Sequence, residues 1–274
     1  MMERHPFGII VLITAILAAL PLFVTSNILL NFLSFAMIIT LASQGWNILG
    51  GYGGQFSFGH AVFFGTGAYA MALLQIRFGI NPWVVLALAM LLGGLVGLAL
   101  GFLSFRAGLR GSYFALVTLA FAEVFRISAN AWSFTGGAAG VLVPLKIDPA
   151  NLQFADRRVF FWLALACVGA TLVLTLLMAR SRFGAQLVAL RENEEAAQAL
   201  GVNTLVVKLK AITLSGAITA VAGALYTQKF LYLDANLAFG SWLPAPPIMG
   251  ASRASTDSQE PKARLASRYR NFCV

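Results

Sequence analysis

Residues 83–105 read WVVLALAMLLGGLVGLALGFLSF, 23 consecutive positions without an Asp, Glu, Lys or Arg. At 1.5 Å per residue this run makes a helix of about 35 Å, longer than the ~30 Å hydrocarbon core of a bilayer. It has no turn signal and no period-two alternation, so it does not read as a barrel strand. Gly93, Gly97 and Gly101 recur at a spacing of four and form one stripe on one helix face. Such a stripe lets a second backbone approach closely, and we read it as a helix–helix interface.

Six more apolar segments flank this one: 7–24, 28–49, 56–75, 112–129, 159–179 and 208–233. Across all 274 residues, 59% are hydrophobic and 11% charged, and the mean hydropathy is +0.81. Soluble domains carry roughly 25% charged residues, so a water-soluble globule is excluded. The expected fold is all-α, a polytopic transmembrane bundle of about seven helices. Its third segment starts in the glycine-dense stretch Gly50-Gly51-Tyr52-Gly53-Gly54 and is expected to be partly unwound or re-entrant. Arg4 and His5 precede the first segment, and Val24-Thr25-Ser26 resembles a signal-peptide cleavage site. The preferred reading is an uncleaved first helix.

The net charge of +9 comes from 19 basic and 10 acidic residues. The bases lie in short segments between apolar runs, as membrane topology requires, and form no aromatic-interleaved stripe of the kind that binds nucleic acid. The longest charged stretch between spans, residues 180–207, is expected to be a short amphipathic cytoplasmic helix. That choice puts the N-terminus inside with Arg4, Arg106 and Arg110, and puts Arg77 outside. It also places the connection 130–158, with Thr135-Gly136-Gly137, Pro144 and Pro149, on the outer face as a docking surface or gate. With two cysteines, Cys167 and Cys273, and two histidines, His5 and His60, no disulfide framework or multi-histidine metal site is expected. There is no G-x-x-x-x-G-K-[ST] sequence to cradle phosphates and no catalytic constellation. The chain reads as a non-enzyme without a cofactor of its own.

The strongest local signal is Arg191-Glu192-Asn193-Glu194-Glu195-Ala196-Ala197-Gln198-Ala199-Leu200-Gly201. Acids favour the start of a helix, alanines its body, and a glycine its left-handed end. The product is a small-residue helix able to seat in a groove on another protein. Elsewhere, Gly53, Gly54, Gln55, Ser57, Gly59 and His60 are candidates for unwound backbone lining a path, which lipid tolerates only against protein or water. Glu123, three residues before Arg126, reads as an intrahelical ion pair near the outer surface or as a group lining the path.

The segment from Arg182-Phe183-Gly184 through Gly201 resembles the coupling segment of ABC importer permeases, more specifically the LivM-type permease of branched-chain amino acid importers. Three stretches add to the resemblance: Gly50 to Ala61 (GGYGGQFSFGHA), Leu109 to Glu123 (LRGSYFALVTLAFAE), and Thr135-Gly136-Gly137. It extends over about residues 28 to 240. It implies a bacterial inner-membrane subunit paired with a LivH-like second permease, two ABC ATPase subunits that hold the ATP, and a periplasmic amino-acid-binding protein. Arg191 to Ala197 and Gly201 would then contact the ATPase. Permeases of the same type for urea, amides or other small solutes are the alternative. On this reading residues 1–240 are the permease domain. The polar stretch 241–274 departs from the family pattern after Phe239-Gly240, and is expected to be a disordered or out-of-frame tail on a C-terminally truncated permease; a truncated or frameshifted fragment that does not itself transport is the further alternative.

Overall fold

The computed structural model describes residues 6–23 and 26–240; the expectations for the tail and for the possible cleavage site at residues 24 and 25 lie outside them. Every apolar run expected to span a membrane is helical: α1 (Pro6–Phe23), α2 (Asn27–Asn47), α3 (Ala61–Phe78), α4 (Pro82–Arg106), α5 (Gly111–Ala131), α6 (Arg157–Arg180) and α9 (Thr204–Phe230). Among the described residues, six helices are long and apolar enough to cross a membrane, α1 contributing a shorter apolar stretch, Val11–Phe23. Leu91, Leu103, Val124 and Leu177 are more than half exposed on their helices. That surface belongs in lipid, where exposing leucine costs nothing.

The bundle is organised around α9, which α2, α3 and α4 all pack against. The reason lies in its sequence: Ser215, Gly216, Thr219, Ala220, Ala222, Gly223 and Ala224 put small side chains on every side, and all are buried. Without a hydrophobic drive between helices in lipid, close backbone approach is what remains to hold them. The Gly93–Gly97–Gly101 stripe of α4 serves this packing. A Cβ on Gly97 would stand 2.8 Å from the Ile212 carbonyl, and one on Gly93 2.7 Å from that of Gly216. The interface is within the chain. On the far side, α6 packs on α2 and α1 on α6, where Trp162 Nε1 donates to the Ala18 carbonyl at 3.1 Å.

Three connections add detail to the expected pattern, and the third segment is unwound at its start. The third span begins at Ala61 rather than Phe56: α2 continues as a π-turn, Ile48–Tyr52, and the chain then runs without helix from Gly53 to His60. The charged stretch 180–207 is two helices, α7 (Arg182–Glu192) and α8 (Glu194–Ala199), because Asn193 is extended (φ −156°) and caps α8. The connection 130–158 is built of short 3₁₀ turns and a strand, β1 (Val141–Leu142), that pairs antiparallel with β2 (Tyr232–Leu233). Leu231, at φ 57°, turns the chain out of α9 into β2. A last helix, α10 (Ala235–Phe239), folds back so that Phe239 stacks on Tyr69 of α3, ring centroids 5.7 Å apart.

Candidate coupling segment and membrane path

Local capping fixes each bend of the charged segment. Ser181 Oγ accepts from the Gly184 amide at 3.3 Å and starts α7. Leu187 and Leu190 of α7 are buried. Asn193 Oδ1 accepts from the Ala196 amide at 3.0 Å and starts α8. At the end of α8 the Gly201 amide donates to the Gln198 carbonyl (2.9 Å) and that of Val202 to Ala197 (3.1 Å). This closing turn needs a left-handed residue, and Gly201 supplies it at φ +85°. Asn203 Oδ1 then accepts from the Val206 amide at 3.2 Å and opens α9.

The outer face of α8 carries Glu195, Ala196, Gln198, Ala199 and Leu200, all exposed, with Leu200 at 85%. A leucine so exposed beside three alanine or glutamine positions is a shallow apolar ridge with little bulk. Ala197 faces inward at 3% exposure. Glu194 also faces inward: its Oε1 accepts from Lys208 Nζ at 2.7 Å, and Oε2 lies 3.6 Å from Arg110 Nε. Glu192 pairs with Arg191 at 2.7 Å on the surface. Arg191 Nη1 donates to the Gly51 carbonyl at 3.0 Å, and a Cβ on Gly54 would stand 2.6 Å from Arg191 Cγ. The glycine-dense stretch and the charged segment, read separately in the sequence, therefore meet.

From Gly54 the chain climbs into the bundle. Exposure alternates along it: Gln55, Ser57, Gly59 and His60 are buried, while Phe56 and Phe58 are about half exposed. Trp46 Nε1 donates to the Ser57 carbonyl (2.9 Å), and the Gly59 amide donates to Thr118 Oγ1 (3.4 Å). Gly53 stands against the Leu49 carbonyl, which a Cβ would approach to 2.7 Å. His60 Nε2 lies 2.7 Å from Ser215 Oγ, and that hydroxyl donates to the Gly45 carbonyl at 2.6 Å. A hydroxyl has one proton, so Nε2 carries the other, and the ring is the Nε2–H tautomer. Ser215 lies eleven residues into α9, about 16 Å along it, close to half the depth of a bilayer core. Gln55 Oε1, Ser57 Oγ and His60 Nδ1 are buried without a hydrogen-bond partner among the described residues. Ser215→Ala strands the His60 N–H as well, and is expected to cost about 1–3 kcal/mol, read as a lower unfolding midpoint in detergent.

Two candidate groups lie apart from this stretch. Glu123 and Arg126 form the ion pair on α5, and Arg126 Nη1 also donates to Asn236 Oδ1 of α10 at 2.8 Å. Glu123 sits on an exposed face with Tyr113, Leu116 and Leu119. Thr135, Gly136 and Gly137 close the opposite end of α5 from the charged segment. Thr135 Oγ1 donates to the Ala129 carbonyl at 2.6 Å, and both glycines have positive φ. Reasoning from sequence missed Lys208, Arg110, Ser215 and Asn236. Only Lys208 carried a signal, as a basic residue followed by an otherwise apolar span.

The described residues thus form a membrane bundle with a capped, charged two-helix segment between two spans, α6 and α9. Residues 28–251 match the model of the family described as branched-chain amino acid transport system / permease component, and the chain belongs to that family. It is 32% identical over 231 residues to the high-affinity branched-chain amino acid transport system permease protein LivM of Salmonella typhimurium, covering 76% of this chain and 54% of that protein. LivM of Escherichia coli gives the same identity and coverage. A probable LivM of Methanocaldococcus jannaschii is 28% identical over 230 residues, covering 72% of this chain and 66% of that protein. The chain thus spans about half the length of the two bacterial relatives. No solved structure matches it.

Proposed function

We propose that the chain is the membrane-spanning subunit of an ATP-driven importer for branched-chain or related amino acids, in a bacterial inner membrane with its N-terminus in the cytoplasm. The observation that carries this reading is α8, a capped helix of small residues presenting an exposed ridge between α7 and the entry to α9. Such a ridge fits a groove on a separate ATPase subunit, and ATP is held there. A second, LivH-like permease and a periplasmic amino-acid-binding protein complete the assembly.

The exposed face of α5 supports the place of the second permease. A carboxylate well inside an apolar helix and a non-helical stretch carrying Phe56 and Phe58 are both intolerable against lipid. Protein and a water-lined path cover them in this reading, and Glu123, Arg126 and Asn236 line the path. Its test is uptake of radiolabelled leucine by vesicles holding the co-expressed subunits and the binding protein. Uptake is expected to require ATP, and leucine flux in its absence would rule the reading out.

A further inference from the structure

Only one face of α8 is free to meet a partner. The other is tied to three helix ends. Glu194 holds Lys208, which is 4% exposed in the second turn of α9, and pairs with Arg110, which directly precedes α5. The Lys208 ammonium also sits 5.5 Å from the centre of the Phe105 ring, near the end of α4, and Phe105 stacks on Phe114 in the first turn of α5 at 4.9 Å. On the other side of the Asn193 break, Arg191 grips the carbonyl of Gly51 at the end of α2.

A buried ion pair often stabilises a fold no more than an apolar pair of equal volume, but separating its partners leaves an uncompensated buried charge, so the two tend to move together. Here it adds a charged tie between α8 and the spans to the packing of the buried Ala197 and the flanking turns. We infer that Glu194 is a positioning residue that passes displacement of α8 to α9, α5 and α4 through Lys208 and Arg110, while the exposed residues of α8 make the partner contact. The inference rests on α8 being the ATPase contact. The small side chains of α8 are compatible with close seating, and the ion pairs behind them convert that seating into motion of the spans.

The test uses the full chain co-expressed with its second permease and ATPase subunits, comparing Lys208→Met, Lys208→Arg and Arg110→Gln with the unsubstituted chain. Three quantities are read: ATPase recovered with the chain, ATP hydrolysed, and solute taken up per ATP. Lys208→Met is expected to recover ATPase as the unsubstituted chain does and to hydrolyse ATP, with uptake per ATP reduced at least tenfold. Lys208→Arg restores most of that uptake. Arg110 is exposed, so Arg110→Gln leaves the fold intact, and uptake per ATP is expected to fall several-fold. Unchanged uptake per ATP in both Lys208→Met and Arg110→Gln overturns the inference, as does loss of ATPase recovery in Arg110→Gln. Failure of the unsubstituted chain to recover any ATPase overturns the coupling reading instead.

Discussion

Gly67→Leu and Gly223→Leu are each expected to leave no folded chain. At Gly67 a Cβ would stand 2.6 Å from the Ala220 Cα, and at Gly223 it would stand 2.8 Å from the Phe64 carbonyl carbon and 3.0 Å from the Ala68 amide. The obstacle in both cases is backbone, and the colliding atom is the Cβ itself, so no rotamer relieves it. Ordinary overpacking of a core costs about 1–3 kcal/mol because side chains shift. Here α3 and α9 must separate, and α9 is the helix on which α2 and α4 also rest. The measurement is recovery of a monodisperse peak in detergent. Gly169→Ala is the control: among the described residues its Cβ meets only Thr14 Cγ2, at 3.7 Å, and the substitution is expected to leave recovery unchanged or improve it, since alanine is the better helix former by about 1 kcal/mol.

The second large effect falls on transport rather than folding. Gly201→Trp is expected to abolish ATP-dependent uptake while membrane insertion stays normal. Among the described residues no atom lies within 4 Å of a Cβ built on Gly201, so the bundle tolerates a side chain there. The turn does not: a left-handed residue other than glycine costs about 1–2 kcal/mol, and an indole beside Leu200 stands proud of the ridge that a partner groove must accept. Gly201→Asn separates the two causes, because asparagine tolerates the left-handed region and is far smaller. It is expected to keep most uptake. Equal loss in the two variants would place the effect in the turn rather than in the ridge.

Apolar runs, charge and chain position carry much of this arrangement. The seven apolar helices, six of them long enough among the described residues to cross a membrane, follow from uninterrupted apolar runs, and the Gly201 turn from a glycine after an alanine-rich helix. The start of α8 was legible in Asn193, a capping residue followed by two acids; the end of α7 just before it was not, because the residues up to Glu192 favour helix and continue a charged stretch that reads as one helix. The central place of α9 was legible in principle: its small residues fall on all faces rather than on one stripe, which no lipid-facing helix needs. The meeting of Arg191 with Gly51 and Gly54 was not legible, since 140 residues separate the partners and neither stretch has a pattern that names the other. His60 shows the limit of residue type as a guide. Its place among the path-lining candidates says nothing of its partners, and its Nε2–H is spent on Ser215, and Ser215 on Gly45.

In the proposed assembly the exposed ridge of α8 meets an ATPase subunit from inside the cell. A Leu200→Cys chain, with Cys167 and Cys273 replaced by serine, tests it most directly in intact cells that co-express the partner subunits. A short bifunctional thiol reagent is expected to join Cys at 200 to the ATPase subunit, and a membrane-impermeant maleimide added outside is expected to leave that thiol unlabelled. Labelling from outside, without a crosslink to the ATPase, would contradict the account.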